Sequence, residues 1–371
     1  MTHGGTHPDK LDFSASVNPL GLHPAAREAL LSLARDSTPL ERYPNSESTE
    51  LCEQLAAFWS AGGQSPEAAL EAANVVCGAG AADLIYALVQ AFARPAPHAA
   101  VVIVEPAFSE YARAAKAVGA TVRRVVLAAE SGFTLTDADV SRLEAALSDS
   151  ALLFMASPAN PTSVVADSAL LCRLAALCEA HGTLFVLDAC FSQFSAHAES
   201  AVRALLLRRA TYPHTVVLNA FTKFYGMAGL RLGYALCASS AVSEQLRAVL
   251  RPWAVGAVEQ AAGSAVLRAE LAARSASLSD WETNTRTLIA TERARLTAAL
   301  HARGYGAVTG DANFVLFRAA LPESESRLCA RLLSRGIAIR SCADFCGLDA
   351  HCYRIAIRTA AENTQLLAAL P

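Results

Sequence analysis

Between residues 75 and 218 short apolar runs alternate with turns and stretches of helical spacing. The apolar runs fall at 75–76, 99–104, 122–126, 152–156, 184–187 and 215–218, each too short for a helix. Helical patterns run from the GAGAAD turn to 93, at 108–118 and at 168–181. Strands joined through helices run mainly parallel, because a parallel connection needs a long crossover, and the helices then cover both faces of the sheet. The predicted fold is therefore α/β, with a large domain over residues 36–240. In such sheets the loops at the carboxyl ends of the strands carry the ligand site.

Beyond residue 237 the pattern changes. Helical spacing holds at 242–250 and 255–300, broken near Pro252, and strand-like runs follow at 312–318, 336–341 and 352–358 with a helix at 325–334. Residues 241–371, with residues 1–35, are predicted to form a smaller α+β domain. The 371 residues are 53% hydrophobic and carry a net charge of −3, with no long run of Lys and Arg. A nucleic-acid partner is therefore not expected, and a small ligand is. The opening MTHGGTHPDK lacks the apolar core of a signal peptide and no apolar run reaches bilayer length, so a cytoplasmic protein without a membrane partner is expected. The ten cysteines form no CxxC pair and read as small buried hydrophobes. Cys342, Cys346, His351 and Cys352 match no paired-ligand spacing, and no metal is expected.

Four loops carry the candidate chemistry. Lys223 follows the apolar run 215–218, where partial desolvation disfavours its ammonium and makes the amine nucleophilic enough for a Schiff base. Arg231, among Gly226, Gly229 and Gly233, offers a fork suited to a phosphate. The GAGAAD loop between strand and helix could cradle a phosphate on the amides of Gly80, Ala81, Ala82 and Asp83. Asp188 ends the run LFVLD, Asn160 lies in SPANPTS after another strand, and Phe108 follows VEPA. Each alone has a plainer reading: a glycine turn, a cap or ion pair, an Asn-Pro turn, a packed ring. Together they suit one ligand, pyridoxal 5′-phosphate. Asp188 would hold the pyridine nitrogen protonated, Asn160 would bond the phenolic oxygen, Phe108 would stack on the ring, Lys223 would take the aldehyde, and Arg231 would bind the phosphate.

Over nearly its whole length the sequence resembles the fold type I pyridoxal-phosphate enzymes of the aminotransferase class. Within them it is similar to the phospho-amino-acid decarboxylases, near relatives of the histidinol-phosphate aminotransferases. The resemblance rests on HGG at 3–5, DFSASVNPLG at 12–21, RYPNS at 42–46, EPAFSEY at 105–111 and ANPT at 159–162. It continues through TKFYGMAGLRLGY at 222–234, RPWAVG at 251–256 and IRSCADFCGLDAHCYRIAIRTAAEN at 339–363. It implies decarboxylation of L-threonine O-3-phosphate in cobalamin assembly, with L-serine phosphate as a second candidate substrate. Lys223 and Asp188 would be catalytic, with Thr222 beside the lysine at the cofactor. Arg340, Arg354, His3 and Asn18 would meet the substrate, and Tyr43 would reach the cofactor phosphate of the neighbouring subunit in a homodimer. The alternatives are transamination of histidinol phosphate and a non-catalytic binding module. Ala79, Ala82, Ala189, Ser163 and Ala220 depart from the family's usual residues, each loss of a hydrogen bond there being worth about 1 kcal/mol.

Overall fold

The computed structural model describes residues 4–7, 9–60, 69–93, 99–276, 279–319 and 325–371. After a two-residue strand, β1 (Leu11–Asp12), seven strands build the central sheet. They are β2 (Val75–Gly78), β3 (Ala100–Glu105), β4 (Thr121–Val126), β5 (Ser150–Ala156), β6 (Leu184–Asp188), β7 (Thr215–Ala220) and β8 (Gly233–Cys237). Their spatial order is β2-β8-β7-β6-β5-β3-β4. β7, β6, β5, β3 and β4 run parallel, and every residue of β3, β6 and β7 is buried, as a sheet covered on both faces requires. Alternate side chains feed two cores: Leu153, Phe185 and Leu187 on one side, Leu152, Phe154 and Val186 on the other.

The run of six predicted strands matches six of the seven, and the missing one is β8. It pairs antiparallel with both β2 and β7. Residues 221–232 hold only a four-residue helix, Phe221–Phe224, and one turn of 3₁₀ helix, too little for a crossover, so the chain must return antiparallel.

The C-terminal sheet has four strands in the order β12 (Arg340–Ser341), β13 (Cys352–Ala356), β10 (Phe314–Arg318), β9 (Gly306–Ala307). The single strand predicted at 336–341 is divided. β11 (Ile337–Ala338) pairs parallel with β1, while β12 pairs antiparallel with β13. Phe13 joins the N-terminal segment to both, donating to Ala338 O at 2.7 Å and accepting from Ala356 N at 2.8 Å. The helical stretch predicted over 255–300 is two helices, Ala257–Ala276 and Asp280–Ala302. Ser279 starts the second, its hydroxyl accepting from Glu282 N at 3.0 Å. Among the described residues no helix is long and apolar enough to cross a membrane, and no three His, Cys, Asp or Glu side chains are grouped to hold a metal ion.

Candidate active site

The carboxyl ends of β2, β3, β5, β6 and β7 all open on one cavity of about 470 Å³. Ala81 and Ala82 begin the helix Ala81–Phe92 that follows β2, and Phe108 follows β3. Asn160 follows β5, Asp188 is the last residue of β6, and Thr222 and Lys223 sit on the short helix after β7. Because β8 runs the opposite way, Arg231 at its start comes to the same edge. Arg340 and Arg354 line the cavity from the smaller sheet.

Burial pushes the Lys223 amine down to about 8, and the cations of Arg354 and Arg231 add to this against the opposing pull of Cys190 and Asp188. Asp188 is buried with both oxygens engaged: Oδ2 accepts from the Tyr111 hydroxyl at 2.6 Å and Oδ1 from the Cys190 N–H at 3.0 Å. Arg354 donates to Asn160 Oδ1 and, at 2.8 Å, to the carbonyl of Ser14. With its oxygen taken, Asn160 keeps its amide N–H groups for another acceptor. Burial, with Arg340 alongside, pushes the Arg354 guanidinium down to about 10. Arg340 and Arg354 are direct partners across the β12–β13 ladder, and Arg340 is held by Asp344 at 2.7 and 2.8 Å. Like charges set opposite one another are destabilising unless an anion joins them.

Gly80 has φ 84° and ψ 166°, a region open in practice only to glycine. A Cβ there would lie 2.8 Å from Arg231 Nη2, and one at Gly233 would lie 2.5 Å from Ala81 N. The guanidinium and the first amides of the helix Ala81–Phe92 thus converge on one small space, an anion cradle at a helix N-terminus. Asp83 does not line the cavity. Its Oδ2 accepts from Ala79 N at 3.1 Å and so closes the loop from within.

Among the described residues Asn18 and Tyr43, like Gly80 and Asp83, are not on the cavity wall. Asn18 spends its amide on Phe224 O at 2.7 Å and Thr285 Oγ1 at 2.9 Å, and its own N–H donates to Lys223 O at 3.0 Å. It therefore fixes the backbone beneath Lys223. Tyr43 is 84% exposed, its ring 4.9 Å from that of Trp253. His3 lies outside the described residues. Conversely, Tyr111, Ser14, Ser16, Cys190 and Phe345 line the cavity without having been singled out from the sequence. Ser16 is buried and its hydroxyl has no hydrogen-bond partner among the described residues.

The family model of class I and II aminotransferases matches residues 8–370. The chain belongs to this family. It is 35% identical to the threonine-phosphate decarboxylase of Salmonella typhimurium over 99% of this chain and 92% of that protein. It is 31% identical to the histidinol-phosphate aminotransferase of Jannaschia sp. over 98% of this chain and 91% of that one. The fold is also that of the crystal structure of the histidinol-phosphate aminotransferase from Clostridium acetobutylicum, with a TM-score of 0.80, 22% identity, and coverage of 96% and 97% of the two chains. Pyridoxal 5′-phosphate is the cofactor of the family, and the residues present fit it. A half-buried lysine of depressed pKa, a buried carboxylate and an anion cradle kept open by Gly80 meet in one cavity.

Proposed function

We propose that the chain decarboxylates L-threonine O-3-phosphate to (R)-1-aminopropan-2-ol O-phosphate, with L-serine phosphate, leading to ethanolamine phosphate, as a second candidate substrate. The observation that carries this is the pairing of Arg340 with Arg354 on the cavity side of the smaller sheet, two cations in register of which Asp344 pairs with Arg340, so that an anionic substrate group suits the Arg354 side of the pair. The similarity to a threonine-phosphate decarboxylase supports it, and cobalamin assembly is the setting it suggests.

Pyridoxal phosphate, when bound, supplies an electron sink for the bonds at the substrate's Cα. Arg231 and the amides of Ala81 and Ala82 hold its phosphate, in the cradle that Gly80 and Asp83 shape. Asp188 holds a proton at the ring nitrogen, Asn160 donates to the phenolic oxygen, Phe108 covers the ring and Thr222 packs beside Lys223. On the substrate side Arg340 and Arg354, with Ser16 and His3, take the phosphate. With both guanidiniums so engaged the carboxylate is left without a cationic clamp, and the bond to it, in place of Cα–H, is the one released. Lys223, whose amine can gain and lose a proton near neutral pH, returns a proton to Cα once CO2 has left.

The test is to incubate cofactor-loaded protein separately with L-threonine phosphate, L-serine phosphate, and histidinol phosphate plus a 2-oxo acid. CO2 from the first, with no pyridoxamine phosphate, is the expected result. Pyridoxamine phosphate without CO2 would replace this function with that of an aminotransferase, and silence toward all three would favour a binding module.

Residues 36–240 are taken as the cofactor domain, and 1–35 with 241–371 as the substrate-facing one. The enzyme is further proposed to be a cytoplasmic homodimer in which Tyr43 reaches the partner's phosphate site. All ten cysteines are free thiols, which suits a reducing compartment. The exposed Tyr43–Trp253 pair, with Leu40 also exposed, supports the dimer. Sedimentation should give twice the 38.9 kDa chain mass, and Tyr43→Ala should weaken cofactor binding. A monomer that binds cofactor fully would overturn the dimer.

A further inference from the structure

The proposed site gives Asp188 one task, holding a proton at the ring nitrogen, and success depends on how basic the carboxylate is. Burial makes a carboxylate a stronger base. A carboxylate stronger than the pyridine nitrogen would keep the proton for itself and leave the ring a poor electron sink. The donors that face the Asp188 oxygens therefore bear on where the proton sits.

Tyr111 is one of them. It is fully buried, and its hydroxyl donates to Asp188 Oδ2 at 2.6 Å. Its ring lies stacked on Phe154 with centroids 4.8 Å apart and planes 6° from parallel, and it meets Phe108 edge-on at 5.9 Å. Held on two sides, the phenol has one orientation. The Cys190 N–H covers the other oxygen, so Asp188 is fixed by donors on both sides. Burial and the neighbouring carboxylate push the Tyr111 phenol well above its usual range, so it stays a protonated donor at any working pH.

We propose that Tyr111 is a positioning residue that keeps the shared proton on the ring nitrogen by donating to Asp188. The inference rests on the cofactor site assigned above and deepens it. It also gives the EPAFSEY segment two tasks three residues apart: Phe108 covers the ring, while Tyr111 sets its protonation through Asp188.

The test uses Tyr111→Phe, which keeps the ring and its stacking, in wild-type and Asp188→Asn backgrounds. Apoprotein is titrated with pyridoxal phosphate by tryptophan fluorescence, and the visible band of the loaded protein is followed against pH. One lost hydrogen bond to a charged group predicts a weakening of cofactor affinity by about tenfold or more. Less positive charge on the ring also predicts that the pH midpoint of the band moves upward. In the Asp188→Asn background the same substitution should change affinity by less than it does in the wild type, because the amide carries no charge for the phenol to stabilise. An unchanged affinity and midpoint in Tyr111→Phe would overturn the proposal. So would an equal loss in both backgrounds, or a lowered melting temperature with an unmoved midpoint, which marks a purely structural role. Wild-type apoprotein that binds no pyridoxal phosphate would defeat the cofactor site itself, and is told apart by that.

Discussion

Lys223→Ala is expected to lower turnover by on the order of 10³-fold or more and to remove the visible absorption of the cofactor-loaded protein. Among the described residues Lys223 is the one amine lining the cavity, and the site is built to keep it reactive. Its desolvation at the end of β7 and the nearby cations of Arg354 and Arg231 bring its pKa to about 8. The sign then follows: below about pH 8 the amine is mostly protonated and cannot attack, and above it the amine is free. The rate at which apoprotein takes up pyridoxal phosphate should therefore rise with pH and level off beyond about 8. A yellow, active Lys223→Ala protein, measured by absorbance and CO2 release, would sink the assignment of this lysine.

Arg354→Ala carries the next largest expected effect. The guanidinium is buried, lies beside Arg340, and holds both Ser14 O and Asn160 Oδ1. Loss of two charge-assisted bonds at about 1.5–3 kcal/mol each predicts a fall in kcat/KM of about 10²–10⁴-fold. Because Asn160 is released as well, cofactor affinity should also drop, whereas a change confined to KM would mean that Arg354 touches substrate alone. Steady-state kinetics with L-threonine phosphate and a cofactor titration of the same variant distinguish the two. The Arg354→Lys variant should recover little, since a point charge cannot serve both partners in the plane of a fork.

The cofactor side of the cavity was legible because its residues stand out locally. A lysine, a carboxylate or an asparagine at or just past the end of an apolar strand is out of place there unless it has chemistry to do, and Asp188 ends such a strand while Asn160 and Lys223 follow others within a few residues. Tyr111 carries no such mark. An aromatic in the first turn of a helix is ordinary, and the carboxylate that gives it meaning is 77 positions away. Ser16 stayed hidden for the same reason, since an orphaned hydroxyl is a property of packing and not of sequence. Asn18 misled in the opposite direction, being a polar side chain in the right segment whose amide turns inward to the backbone of Phe224. β8 escaped notice because a five-residue strand reached through a short loop does not repeat the strand-helix unit that marks its neighbours. Ser163, a departure from the usual glycine, has φ 67° yet gains a bond, its hydroxyl accepting from Ala312 N at 2.7 Å.

The antiparallel return of β8 divides the cavity by ancestry of chain. Ala220 at the end of β7 faces Gly233 at the start of β8, so Lys223 and Arg231 both ride on one closed loop, residues 221–232, pinned at its base by neighbouring strands. Closing so short a loop costs little chain entropy and keeps the two anchors near each other, with the Asn18 N–H adding a bond to Lys223 O. The opposite wall is gathered from Ser14 and Ser16 near the N-terminus and from Arg340 and Arg354 near the C-terminus, segments more than 300 residues apart in the sequence. One wall thus centres on a local loop, while the other is gathered from remote segments. A protein so built can vary its substrate wall at its two ends, except at Arg354, whose bond to Asn160 ties that wall to the cofactor side.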